Sequence, residues 1–258
     1  MEVILNINDL EYEPLFQDFS MYLENEKIIT VSGANNCGKT TLIRILNREI
    51  SFPFNIILED KNIQDYSYEE YFSLVQTVYP LETYFEENTP REELLIRNID
   101  KKEEQINKIL IDLNIDKIAN KDFSKLSKSD IIKTQIAIAV MNAKRLVLID
   151  GIDNYLSKEE LKDVYLFLKK YTRKYHITVI LTSTSLEETI LSDELYIISE
   201  KKVILHGEPI TVLSKDNVIN KAGLRIPFMI DLSVKLRDYD LIKKIELDKQ
   251  ELMDALWK

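Results

Sequence analysis

One short segment constrains the fold more than any other. Residues Gly33-Ala34-Asn35-Asn36-Cys37-Gly38-Lys39-Thr40 fit the phosphate-loop pattern G-x-x-x-x-G-K-[ST]. The pattern carries meaning only between a strand and a helix. Here it follows the apolar run Ile28-Ile29-Thr30-Val31 and precedes Leu42-Ile43-Arg44-Ile45-Leu46, which is spaced as a helix. In that context, loop N–H groups and the helix N-terminus offer donors and partial positive charge to phosphate oxygens. Lys39 would reach the outer phosphates and the Thr40 hydroxyl would ligate Mg²⁺, with Thr41 following in the helix. Asn36 stands where such loops often carry glycine, and asparagine accepts a left-handed backbone at modest cost. The expected ligand is a nucleoside triphosphate, held by Gly33, Asn35, Asn36, Cys37, Gly38, Lys39, Thr40 and Thr41.

Around this loop the chain alternates short β-branched runs with helical patterns. Residues 3–7, 28–31, 55–58, 146–149, 178–181, 195–198 and 202–205 read as strands. Between two of them, Leu161, Val164, Tyr165 and Leu168 fall on one helical face. This is the grammar of an α/β sheet protein of the P-loop NTPase type. From about residue 80 to 125 the pattern turns charged and helical, and a helical subdomain inserted over about 80–140 is expected. A sheet domain over 1–216 would then be followed by a helical appendage over 217–258.

Composition narrows the setting. A net charge of -10 argues against a general nucleic-acid binder, which needs a basic field to displace counterions. No apolar run approaches the roughly 18 residues that span a bilayer, and the first residues lack a basic leader, so a cytoplasmic protein without direct membrane insertion is expected. Cys37 is the single cysteine, which rules out an internal disulfide. It could be a reactive thiol beside a helix N-terminus or a small residue filling the loop.

A phosphate site of this kind needs a second carboxylate-bearing strand to hold Mg²⁺, and Leu146-Val147-Leu148-Ile149-Asp150 supplies one. With that element in place, the chain resembles an ATP-binding cassette (ABC) transporter ATPase along essentially its whole length. The resemblance implies ATP and Mg²⁺ as ligands. It makes Tyr12 the aromatic that stacks on adenine, although an edge-strand tyrosine without that role fits the same position. It makes Gln76 the glutamine that senses Mg²⁺ and γ-phosphate and relays to a membrane subunit, and Leu126-Ser127-Lys128-Ser129-Asp130 the counterpart of the LSGGQ signature.

The same resemblance exposes departures. Only Leu126 and Ser127 of the signature survive, so the glycines that let a second cassette's ATP approach are lost. Gly151 stands at the position of the general-base Glu, Ser157 at the Asp of the following loop, and Thr184 at the switch histidine, with Asp153 a nearby carboxylate that could stand in for the missing acid. Groups that bind are kept and groups that turn ATP over are gone. Loss of a general base costs about 10²–10⁴ in rate.

The stretch from Ala222 to Leu236 is similar to the C-terminal segment of energy-coupling factor (ECF) transporter ATPases, which drive uptake of vitamins or of cobalt and nickel ions. That resemblance implies a dimerising tail, a second ABC ATPase as partner in a heterodimer, and a transmembrane transporter subunit, placing the chain peripherally on the inner face of the membrane. A regulatory ATP-binding module that drives no transport is the alternative.

Overall fold

The computed structural model describes residues 3–50, 54–80, 82, 84–99 and 101–257. In chain order its strands are β1 (Val3–Tyr12), β2 (Phe16–Glu24), β3 (Ile28–Gly33), β4 (Ile56–Leu58), β5 (Lys61–Asn62), β6 (Val75–Val78), β7 (Leu146–Ile149), β8 (Thr178–Ser183), β9 (Glu194–Ser199) and β10 (Lys202–Gly207). Its helices are α1 (Lys39–Leu46), α2 (Tyr68–Leu74), α3 (Pro90–Arg97), α4 (Glu103–Asp112), α5 (Lys128–Asn142), α6 (Lys158–Tyr175), α7 (Pro209–Leu213), α8 (Asp216–Lys221), α9 (Phe228–Asp238) and α10 (Lys249–Leu256). Two sheets result. One has the order β10-β9-β3-β8-β7-β6 and the other β2-β1-β4-β5.

In the larger sheet β9, β3, β8, β7 and β6 run parallel, and β10 turns back antiparallel on β9. Parallel strands must be covered on both faces, which is why β3, β7 and β8 are apolar runs buried at every position rather than alternating ones. Side chains still part by strand period. Ile28, Val147, Ile149, Val179 and Leu181 join α3 to α6 in one apolar cluster, whereas Ile29, Val31, Leu146, Leu148 and Ile180 join α1 and the antiparallel sheet in another. The helices of residues 90–142 therefore share a core with β7 and β8. A third cluster packs α7, α8 and α9 residues against Leu195 and Ile197 of β9.

The long helix α6 begins at Ser157, whose hydroxyl accepts from the Glu160 N–H while Glu160 answers with a bond to the Ser157 N–H, a reciprocal cap. Leu161, Val164, Tyr165 and Leu168 are buried as their spacing requires. Tyr165 reaches β3 through a 2.9 Å bond between its hydroxyl and that of Thr30. Among the described residues, no helix is long and apolar enough to cross a membrane.

Three strands, β2, β5 and β6, lie outside the expected set, β5 being only the two residues Lys61–Asn62. β2 was not anticipated, because Asp18 takes a left-handed φ of 51° and neighbouring register shifts break the alternation. β6 starts at Val75 directly where α2 stops, so Gln76, which the sequence puts at the end of the run Ser73-Leu74-Val75, lies inside the strand. The parallel order brings the carboxyl ends of β3, β8 and β7 side by side. Ligands bind at that edge in open α/β sheets.

Candidate functional site

The loop after β3 is built by close approach. A Cβ on Gly33 would lie 2.5 Å from the Ile198 carbonyl oxygen of β9 and 2.5 Å from Cys37 Sγ. A Cβ on Gly38 would lie 2.7 Å from the Phe16 ring, and Gly38 has a φ of 104°. Only glycine satisfies both positions. Asn36 adopts a φ of 64°, as its place in the pattern requires. Lys39 folds back over the loop and donates from Nζ to the carbonyls of Gly33 (2.6 Å) and Ala34 (2.9 Å). Cys37 is half-buried, with its sulfur 3.8 Å from the same ammonium. The sulfur packs within the loop.

This loop forms one wall of a cleft of about 380 Å³, to which Leu15, Asn35, Asn36, Gly38, Lys39, Thr40 and Thr41 contribute. The facing wall comes from the exits of β7 and β8: Asp150, Gly151, Asp153, Asn154, Thr182, Ser183 and Thr184. Thr182 Oγ1 donates to Asp150 Oδ1 at 2.6 Å and accepts from the Gly151 N–H at 2.9 Å, which fixes the Asp150 carboxylate. Among the described residues, neither Asp150 Oδ2 nor Thr40 Oγ1 makes a hydrogen bond. A hydroxyl and a carboxylate oxygen left open on one cleft are the hard donors that Mg²⁺ takes beside phosphate oxygens, so the donor set fits that ion. The tight glycine cradle and the Lys39 ammonium fit a phosphate chain.

The ABC transporter family model matches residues 16–154, more than half of the chain. The chain belongs to the ABC transporter family. Curated relatives include the zinc import ATP-binding protein ZnuC of Ehrlichia chaffeensis, 23% identical over 220 residues that cover 84% of this chain and 88% of the relative. The energy-coupling factor transporter ATP-binding protein EcfA1 of Oenococcus oeni is 25% identical over 256 residues, covering 89% and 86%. Among solved structures, cbiO1 from Clostridium perfringens, part of the ABC transporter complex cbiONQ, superposes with a TM-score of 0.72 at 22% identity, covering 90% of this cassette and 99% of that chain. The ADP conformation of the cassette MJ1267 gives 0.72 at 21% identity, covering 85% and 98%. These structural matches establish the cassette fold.

The cassette does not bring every expected residue to the cleft. Gln76 points elsewhere: its side-chain amide donates to the Phe72 carbonyl at 2.5 Å, because α2 runs straight into β6 and the residue falls mid-strand opposite Val147. The strand ends at Val78, and Tyr79 follows it to the site. Tyr79 lines an adjoining cavity of about 300 Å³ together with Thr40, Asp150 and Gly151. Its hydroxyl donates to Glu49 at 2.7 Å, and burial together with this carboxylate pushes its pKa upward. Tyr12 packs edge-on against Phe54, 5.9 Å between ring centroids, and is not among the cleft-lining residues, whereas Leu15 is. Neither Tyr79 nor Leu15 was singled out from sequence. Tyr79 was within reach of a rule that places the site residue directly after the apolar strand.

The signature segment starts α5. Ser127 caps the helix, its hydroxyl accepting from the Asp130 N–H at 3.1 Å and donating to the Asp130 carboxylate at 2.7 Å. Leu126 is half-buried and Lys128 is exposed, its ammonium 5.5 Å from the Tyr155 ring centre. Ser129 donates to Glu160 of α6 at 2.9 Å. The Ser127 and Ser129 hydroxyls and the Asp130 N–H of this helix start are thus taken within the chain. Burial alone would raise the Glu160 pKa, but bonds from Lys133, the Ser157 N–H and Ser129 outweigh it and hold it down at about 2.

Proposed function

We propose that this cassette is the nucleotide-binding subunit of an import-type membrane transporter, holding Mg-ATP and hydrolysing it slowly. The observation that carries the reading is the pairing of the glycine-cradled Lys39 loop with the Thr182-fixed Asp150 carboxylate across one cleft. Gly33, Asn35, Asn36, Cys37, Gly38, Lys39, Thr40 and Thr41 would hold phosphates, and Thr40 and Asp150 would hold Mg²⁺. Gly151 and Thr184 line the cleft with no group able to take a proton from water at neutral pH, so this chain binds and orients rather than turning nucleotide over. Mg²⁺ would supply charge neutralisation for the phosphate chain.

Relatives named as zinc-import and energy-coupling factor ATP-binding proteins favour an uptake system for a metal ion or vitamin. The partners would be a second, hydrolytically competent cassette and a multispanning protein, with this chain peripheral on the cytoplasmic face. Residues 217–258 would contribute to pairing, since Phe228 of α9 and Trp257 just past α10 are exposed. Calorimetric titration of the purified chain with Mg-ATP, beside Lys39→Ala, tests the binding step. Micromolar affinity that the substitution removes supports it, and affinity retained in the variant overturns it.

The capped start of α5 favours a second reading, a regulatory ATP-binding module without transport, because the Ser127 hydroxyl and the Asp130 N–H are bonded to each other and offer less to a partner's nucleotide. Purification of the tagged chain from native membranes separates the two. Recovery of a competent cassette and a membrane protein favours transport. Recovery of a lone nucleotide-bound chain favours regulation.

A further inference from the structure

The segment after β8 makes an unusual set of bonds. Asp153 Oδ2 accepts four of them: from Ser183 Oγ at 2.9 Å, the Thr184 N–H at 2.9 Å, Thr184 Oγ1 at 2.9 Å and the Ser185 N–H at 3.1 Å. The single Ser183 hydroxyl proton is shared between Asp153 Oδ2 and the Ser185 carbonyl at 2.8 Å, and Oγ accepts from the Ser185 N–H at 3.1 Å, closing the turn on itself. Asp153 is delivered to this place by Gly151, whose left-handed backbone (φ 55°, ψ 38°) starts the 3-10 turn Ile152–Asn154. Both loops line the cleft.

We infer that Asp153 is a positioning residue that locks residues 183–185 to the exit of β7, so that the floor of the cleft keeps one shape with a nucleoside diphosphate or triphosphate bound. Withdrawing Oδ2 from this set would leave the half-buried Thr184 N–H and hydroxyl without their partner, while the Ser185 N–H would keep only its 3.1 Å bond to Ser183 Oγ. The other Asp153 oxygen, Oδ1, is buried and makes no hydrogen bond among the described residues, so the lock rests on Oδ2 alone. The donors of Thr184, the residue at the switch position, are both spent on Asp153. A terminal phosphate gains no contact from this segment unless that bond set opens, and a ligand shifts a conformation only by its differential affinity for the two states. The missing acid and the new lock belong to one local rearrangement: the left-handed residue that excludes Glu at 151 is the one that aims Asp153 at β8.

The lock itself is independent of the proposed function; its consequence for nucleotides rests on that reading. Amide exchange at Thr184 and Ser185 in the full chain, followed without nucleotide, with Mg-ADP and with Mg-ATP, tests both. Equal protection in all three states is expected, with Kd values for Mg-ADP and Mg-ATP within about tenfold of each other. Asp153→Asn is expected to speed exchange at both amides by about tenfold or more. Protection that rises only with Mg-ATP, or exchange in Asp153→Asn as slow as in the wild type, overturns the lock. Should Asp153→Asn fail to fold, Thr184→Val and Ser183→Ala each remove one donor and keep the carboxylate. Each is expected to speed Ser185 exchange, and no change in either refutes the inference. Failure of the wild type to bind any nucleotide would refute the proposed function, while the nucleotide-free exchange of wild type against variant still decides the lock.

Discussion

Lys133 Nζ donates to Glu160 Oε1 at 2.7 Å, joining α5 to α6, and Ser129 Oγ donates to the same oxygen. Only 8% of the Lys133 side chain and 29% of Glu160 are exposed, so the pair is screened far less than a surface ion pair. It is the main polar tie that orients the helix carrying the altered signature.

That tie has an acid limit. The Glu160 pKa lies below its ordinary 4.5, at about 2, so its contribution to stability is complete above 4.5 and is lost as pH falls from there through about 2. Glu160→Gln keeps the helix cap and removes the charge, and should cost about 1–3 kcal/mol at neutral pH. Thermal midpoints of both proteins should converge toward pH 2. A constant difference across that window would reject the assignment.

Lys39→Ala should remove nucleotide binding and leave the fold intact. The Ala34 carbonyl keeps the Cys37 N–H as a donor and only the Gly33 carbonyl loses its bond, a small loss in a loop beside an open cleft. Circular dichroism unchanged and titration heat abolished is the expected result.

Gly33→Ala should destabilise the cassette by about 1–3 kcal/mol, because its Cβ meets a backbone carbonyl that cannot swing aside. Denaturant midpoints measure this. A loss below a few tenths of a kcal/mol would mean that β9 can move away.

Gly151→Glu has room for its side chain, the nearest atom to a Cβ being 3.8 Å away, yet it must adopt a φ of 55°. The substitution should cost about 1–2 kcal/mol. Paired with Thr184→His, it should leave the hydrolysis rate of the isolated chain unchanged, since a left-handed Glu projects from a different backbone. Steady-state phosphate release checks this, and a clear rise in rate would show that the loop relaxes to accept the acid.

The phosphate loop and the Asp150 strand were legible because each is local: glycine spacing in one, a run of buried β-branched and aliphatic residues in the other. The register of β6 was not. Leu74 ends a helix and Val75 starts a strand with no glycine, proline or polar turn between them, so the run Ser73-Leu74-Val75 concealed the boundary and Gln76, read as closing that run, lies two residues before the strand ends. The bonds of Asp153 to residues 183–185 were equally hidden, joining side chains some thirty positions apart across two parallel strands. Sequence showed which catalytic groups were missing, and only the fold showed what had taken up their neighbours' hydrogen bonds.

Gly33 leans on the Ile198 carbonyl and Gly38 on the Phe16 ring. The loop is thus buttressed by β9 of the parallel sheet at one end and by β2 of the antiparallel sheet at the other. The phosphate loop is therefore clamped between the two sheets, and anything that separates them would loosen the cleft from both ends at once.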